Sequence, residues 1–282
     1  MTTQPLRFLH CKLIVVSAAF VLCLCLLAAP ASAANFAVTS PWVYNIASFI
    51  AGDNNNVRPL SVWNADGNAA FVSSPRGGEY IIALDSKDAV RLRISLKNKR
   101  LFLLYENIPV TEGLVRTAFY DPATLPFIAQ KVMKAMSAAD SSRYSYYQRR
   151  LAEFQSRIES TLDVGKHLLG KAKILDLTGA QGEWVRSAVP GAVRPPKAVW
   201  QGWLDGDSEA LRAALDEASR RKWLILLDPW TPAVIRTAAS PYPFRLTLSP
   251  PSMKQDYFLH LHEIFLAINS KIKQHAANNN VK

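Results

Sequence analysis

The chain has 282 residues, 49% of them hydrophobic, enough for one large domain or two lobes of ordinary size with real cores. Its formal charge of +11 is compatible with an anionic surface or plain solubility. The basic residues are scattered apart from small clusters at Arg91/Arg93/Lys97/Lys99/Arg100 and Arg220/Arg221/Lys222, and no interleaved aromatic motif accompanies them, so a solvated basic surface is expected rather than a nucleic-acid site, with no nucleic acid as partner.

Residues 1–33 read as an export signal. Arg7 and Lys12 form a basic start, Leu13 to Ala28 is an apolar run without charges, and Ala31-Ser32-Ala33 is a small-residue cleavage site. Cleavage is expected near Ala33, placing the remainder in the periplasm; the apolar run is too short for a membrane span. A lipid anchor at Cys23 or Cys25 ranks second, because no small-residue lipoprotein pattern precedes them. All three cysteines (Cys11, Cys23, Cys25) lie in this leader, which excludes disulfides and cysteine metal sites from the rest.

From Asn35 to Tyr120 strands and helices alternate. Phe36 to Thr39 reads as a strand, Ser40-Pro41 as a helix start, and Trp42, Ile46, Phe49 and Ile50 as one helix face ending at Gly52-Asp53. Val57 to Trp63 reads as a second strand and Asn64 to Asn68 as a turn-rich loop. Glu79 to Leu84 is strand-like, Ser86 to Ile94 helical, and Leu101 to Tyr105 a buried-type strand.

A helical segment then runs to Met136, with a break at Ser137-Ala-Ala-Asp140. The helix that follows carries Tyr144, Tyr147, Leu151, Phe154, Ile158 and Leu162 at steps of three and four, one apolar stripe. About 25 residues make a rod of roughly 35–40 Å, longer than one small domain, so it is expected to span two lobes. Beyond it, Lys173 to Thr178, Trp223 to Asp228 and Phe244 to Ser249 read as strands. Helices are expected at Gly182 to Val189, Ser208 to Lys222, Pro232 to Ala239 and Lys254 to His275. Trp200 and Trp203 fall in a proline-containing connector. The alternation implies parallel βαβ units, whose ligand crevice lies at the carboxyl ends of the strands.

Phe119-Tyr-Asp-Pro122 with the helix after it, Ala139-Asp140 with Tyr147 ahead of the rod, the order of elements from Leu211 to Ser249, and Tyr257 opening the last helix together resemble the zinc/manganese-type periplasmic solute-binding proteins of ABC transporters. The likeness covers most of residues 35–275. It implies an α/β fold of the cluster A-I kind: two βα lobes with parallel sheets, joined by one long rigid helix. The expected division is a signal peptide at 1–33, an N-terminal lobe at 34–120, a helical connector at 121–170 and a C-terminal lobe at 171–282. The resemblance also implies an inner-membrane ABC permease as partner.

In that family a metal sits between the lobes on three histidines, one sometimes replaced by glutamate, plus an aspartate. The matching positions here are Asp66-Gly67-Asn68, Thr117, Thr178 and Ser249. Neutral hydroxyls are poor zinc ligands beside imidazole and carboxylate, so no tight zinc or manganese site is expected. His260 and His262 are two apart on a helix and point to nearly opposite sides, one packed and one solvated. The expected cleft is lined by Asn64, Asp66, Thr117, Tyr120, Thr178, Asp228, Trp230 and Ser249, with Gln181 and Glu183 in reach. Hydroxyls and amides backed by aromatics suit an organic solute or a metal chelate better than a bare cation. No cofactor and no catalytic residue are assigned. Gly206-Asp-Ser208-Glu-Ala210 lacks the second glycine and the preceding strand of a nucleophile elbow, and Ser208 reads as a helix N-cap. The expected function is an exported, solute-binding-protein-like transporter component; the alternative is a degenerate binding fold that serves as a periplasmic interaction module.

Overall fold

The computed structural model describes residues 34–53, 56–64, 66–106, 116–253 and 255–280. The expected export signal and its cleavage site lie outside the described residues. Strand β1 (Asn35–Val38) leads to Ser40, which is extended, with its Oγ accepting from the Trp42 N–H at 3.3 Å. With Pro41 in the first turn, that cap starts α1 (Pro41–Ala51). The expected strand from Val57 to Trp63 is instead two strands. In β2 (Asn56–Pro59) the terminal proline has no N–H to continue a ladder; after Leu60 the chain turns into β3 (Ser61–Trp63). That strand pairs antiparallel with β4 (Ala69–Phe71), a hairpin invisible in the sequence because Ala69 and Ala70 carry no strand signal.

Strand β5 (Tyr80–Ala83) is followed by α2 (Ser86–Arg91), where Asp85 Oδ1 accepts from the Asp88 N–H at 2.8 Å. This helix stops short of Ile94, because Arg93 takes a left-handed φ of 56°. In β6 (Leu101–Leu103) all three residues are half-buried, which corrects the expectation of a buried strand: it is an edge. The first sheet is parallel in the order β2-β1-β5-β6.

Helix α3 (Leu125–Ala139) runs through the expected break; Ser137 stays helical, buried, with its hydroxyl donating to Met133 Sδ at 3.4 Å. After a single 3-10 turn (Ser141–Arg143) comes the rod, α4 (Tyr144–Leu169), 26 residues long. Its buried stripe is Tyr147, Phe154, Ile158, Thr161, Gly165 and Leu169, while Tyr144 is 48% exposed and outside it. Gly165 belongs to the stripe for a steric reason: a Cβ there would lie 2.5 Å from the ring of buried Phe265.

The second half contributes β7 (Ile174–Asp176), α5 (Gly182–Ala188), β8 (Ala192–Val193), α6 (Lys197–Leu204), α7 (Ser208–Arg220), β9 (Leu224–Leu227), α8 (Ala233–Ala239), β10 (Arg245–Thr247) and α9 (Tyr257–Asn280). The sheet is parallel, in the order β10-β9-β7-β8. Two local expectations are corrected. The connector bearing Trp200 and Trp203 is helix α6, and the cap of α7 is Asp207, whose Oδ1 accepts from the Ala210 N–H at 3.0 Å, rather than Ser208.

Alternation along the strands assigns each sheet two apolar faces. Phe36, Val38 and Ile82 of the first sheet, and Ile174, Leu224 and Leu226 of the second, face one continuous core filled from α1, α3, α4, α5 and α9. Ala37 and Ile81 face outward under Ile94, and Leu175, Ile225 and Leu227 face outward under Trp203, Leu211 and Leu215. Both sheets are therefore tied to the same helical layer, and their carboxyl ends meet across a seam.

Candidate functional site

The seam is filled with aromatic side chains. Trp42, from the first turn of α1, has ring centroids 4.4 Å from Trp63, 4.8 Å from Trp230, 5.5 Å from Phe119 and 5.9 Å from Tyr120. Trp63 ends β3, and Trp230 follows β9 in the other sheet, their centroids 5.4 Å apart. The Trp230 indole N–H donates to the Gly67 carbonyl at 2.7 Å, a direct bond between the two halves. Gly67 sits at φ +73°, and a Cβ there would be 2.9 Å from Pro229 and 3.0 Å from the Trp230 indole nitrogen, so only glycine fits under this contact.

Beneath the tryptophans lies a buried polar group built from three elements. Tyr120 Oη lies 3.0 Å from His260 Nε2 on α9 and accepts from Gln181 Nε2 at 3.2 Å. The same Gln181 nitrogen donates to the Ser249 carbonyl at 2.8 Å, which fixes the amide orientation. Its Oε1 is left without a partner among the described residues, as is the indole nitrogen of Trp63. Burial holds His260 down to about 4 and, with Tyr257 and Asp228 as lesser causes, raises Tyr120 well above its ordinary range. The Tyr120 hydroxyl proton therefore points to a neutral imidazole.

This imidazole gives the fold an acid sensitivity. Between the unfolded pKa of about 6.5 and the folded value of about 4, the unfolded chain binds the proton that folded His260 refuses. Stability from this group is complete above pH 6.5 and is expected to fall by about 3 kcal/mol as the pH drops to about 4. Urea unfolding of the wild type and of His260→Gln across that window measures it; parallel curves would refute the assignment.

The residues expected to line a cleft fall into three situations. Asn64 and Asp66 are exposed in the β3–β4 loop, where Asn64 Oδ1 accepts from the N–H groups of Asp66 at 3.0 Å and Asn68 at 2.8 Å. Thr117 is half-buried and its carbonyl receives the Tyr120 N–H at 2.9 Å, while the Ser249 side chain is exposed. Thr178 and Asp228 are fully buried and face inward. Thr178 donates its hydroxyl to Asp176 Oδ1 at 2.7 Å. Asp228 receives the N–H groups of Gly179 at 2.8 Å, Ala180 at 2.8 Å and Gln181 at 3.1 Å, with the Thr231 hydroxyl at 3.1 Å. Its carboxylate thus shapes the loop leading into α5. Trp230 is part of the seam packing, with 8% exposure.

Behind Thr178 lies a charged cluster that sequence reasoning missed. Asp176, at the end of β7, is fully buried and paired with Arg186 and, at 3.5 Å, with Arg194; Arg186 also pairs with Glu183. Burial, then the nearby Arg194, lowers Arg186 to about 10; burial, then Asp121, raises Glu183. Two acids and two bases neutralise one another here, and Arg194 also stacks over Trp200 at 4.6 Å. The sequence held one usable signal, an aspartate inside an apolar strand, since such a group needs a partner. Trp42 was also missed as a seam residue; it stands in the first turn of α1, four positions after the end of β1.

The histidines do not assemble. His167 is exposed on α4, His262 is half-buried, and His275 stacks on Phe244 at 3.8 Å; among the described residues no group of three or more His, Cys, Asp or Glu could hold a metal ion.

The sequence matches no protein-family model and no curated protein. Solved structures do match. The solute-binding protein FpvC of Pseudomonas aeruginosa, in complex with Mn2+, is similar at a TM-score of 0.54 and 14% identity, over 86% of this chain and 99% of that one. ZnuA is similar at 0.56 and 14%, over 85% and 99%, and a Zn(II)-bound mutant variant of AdcAII from Streptococcus pneumoniae at 0.58 and 14%, over 86% and 99%. The chain therefore has the cluster A-I fold of the zinc/manganese-type solute-binding proteins: two parallel α/β lobes on a long helix.

Proposed function

We propose that the chain is an exported, solute-binding-protein-like component of a metal-type ABC transporter, acting in the periplasm with an inner-membrane permease, and that its cargo is a metal chelate or an organic solute rather than a bare ion. The fold supports the transport part. One observation carries the cargo part: among the described residues, tryptophans fill the place where the lobes meet, with the buried Gln181 Oε1 and Trp63 Nε1 left unpartnered and no cluster of imidazoles and carboxylates that could hold a metal ion. Asn64, Asp66, Thr117 and Ser249 are the proposed cargo-facing residues, and Tyr120, Thr178, Asp228 and Trp230 hold the walls. The role requires no catalytic group. A second reading, a degenerate binding fold serving as a periplasmic interaction module, is favoured by how closely Trp42, Trp63 and Trp230 pack, since cargo would have to part them.

A thermal-melt titration of residues 34–282, stripped of metal, decides among these. Zinc, manganese, copper and iron as bare ions are expected to leave the melt unchanged, whereas ligand at one hundred times its dissociation constant adds about 2.7 kcal/mol. A shift with any bare ion that Thr117→Ala, Thr178→Ala or Ser249→Ala abolishes would overturn the cargo assignment. A shift with ferric or zinc chelates supports it; no shift with either, together with a partner captured through the seam, would establish the second reading.

A further inference from the structure

We propose that the segment from Lys87 to Arg100 is a docking surface for an anionic phospholipid bilayer, a property separate from any cargo. The chain leaves the carboxyl end of β5 into α2, folds back, and re-enters the sheet at Leu101, which pairs with Ile81. Residues 98–100 therefore lie at the amino ends of the strands, the opposite end from the aromatic seam. Asn35 and Phe36 start β1 at this same end, in register with Asn56 and Tyr80.

The charges of this segment are sorted by the fold. Its acids turn inward: Asp85 caps α2, and Asp88, 9% exposed, receives the Thr39 hydroxyl and pairs with Arg91 at 2.7 Å. Its remaining cations, Lys87, Arg93, Lys97, Lys99 and Arg100, are all exposed. Ala89 and Ile94 anchor the segment in the outer core, and the loop is held by Asn98, whose N–H donates to the Ser95 carbonyl at 3.0 Å and whose Oδ1 accepts from the Arg100 N–H at 2.9 Å.

The same segment carries two of the most exposed large apolar side chains, Val90 at 58% and Leu96 at 53%. The cations call for an anionic surface, and the exposed apolar side chains for an apolar layer beneath it. A bilayer with anionic headgroups supplies both, drawing the cations to its surface and burying the apolar tips at the acyl boundary. Each cation near such a surface is worth about fivefold in partitioning.

The test is co-sedimentation of residues 34–282, which form a compact unit of their own, with phosphatidylcholine vesicles carrying about one-third phosphatidylglycerol. Binding is expected to these vesicles, to be absent with pure phosphatidylcholine, and to weaken as salt rises above about 0.1 M. Lys97→Glu/Lys99→Glu/Arg100→Glu is expected to reduce it by about a hundredfold, and Leu96→Ser, which leaves the charge intact, by about tenfold. Reversing three exposed cations elsewhere, Arg149, Lys197 and Lys273, is expected to have far less effect. An equal loss from that control would assign the binding to net charge and overturn the local site. Full binding by Leu96→Ser, with equal affinity for short duplex DNA, would mean an undifferentiated polyanion surface and overturn the lipid assignment.

Discussion

Replacing Trp230 by alanine is expected to lower the unfolding free energy by about 3–5 kcal/mol, the usual cost of deleting a buried indole. Trp230 is 8% exposed and packs on Trp42, Trp63 and Tyr120, so its removal leaves a cavity that residues from two sheets would have to close. The loss also frees the Gly67 carbonyl, which receives the indole N–H at 2.7 Å. Trp230→Phe separates the two contributions: it keeps most of the ring packing and forfeits the hydrogen bond, about 1 kcal/mol. Because this bond joins the halves, the alanine variant is also expected to show faster amide exchange in β3 and β4 than in β1 and β5. A loss below about 1 kcal/mol for alanine, with exchange unchanged, would mean that the seam contributes little to holding the lobes together.

Replacing Asp176 by alanine is expected to cost a similar amount, about 3–5 kcal/mol, for an electrostatic reason. Its buried carboxylate sits between Arg186 and Arg194 and also accepts the Thr178 N–H at 3.0 Å and hydroxyl at 2.7 Å. Without it two partly buried guanidinium groups face each other with Glu183 and, toward Arg194, Asp228 as the remaining counter-charges. Already in the wild type, burial and mutual repulsion lower Arg186 to about 10. Asp176→Asn keeps an acceptor for Thr178 and removes only the charge, so it is expected to recover part of the loss. Urea midpoints at constant slope measure both variants. If alanine proved neutral, the arginines would have to be hydrated where they stand.

The architecture was legible in the sequence wherever a strong local signal agreed with the packing. The apolar steps of the rod, the Ser40-Pro41 helix start and the fully apolar Leu224 to Leu227 strand each led to the right element, because local backbone and side-chain preferences there agree with tertiary packing. Boundaries failed where a distant group decided. Thr161 and Gly165 join the rod's buried stripe because α9 lies across it, with the Phe265 ring against Gly165.

The site shows the sharper division. That Thr117, Thr178 and Ser249 offer hydroxyls rather than imidazoles or carboxylates is a property of the sequence alone, since residue type sets donor chemistry wherever the backbone goes. What occupies the space is a tertiary matter. Trp42, Trp63 and Trp230 are up to 188 positions apart along the numbering, and only the meeting of two sheet ends stacks them. In the same way, Asp228 looked ligand-facing by its place after β9 and spends its oxygens on the Gly179 to Gln181 amides. Sequence by itself determined the alternating α/β order. The tertiary structure alone decided which polar groups are satisfied and which side chains fill the seam, because hydrogen bonds and burial are made between residues whose proximity no local pattern encodes.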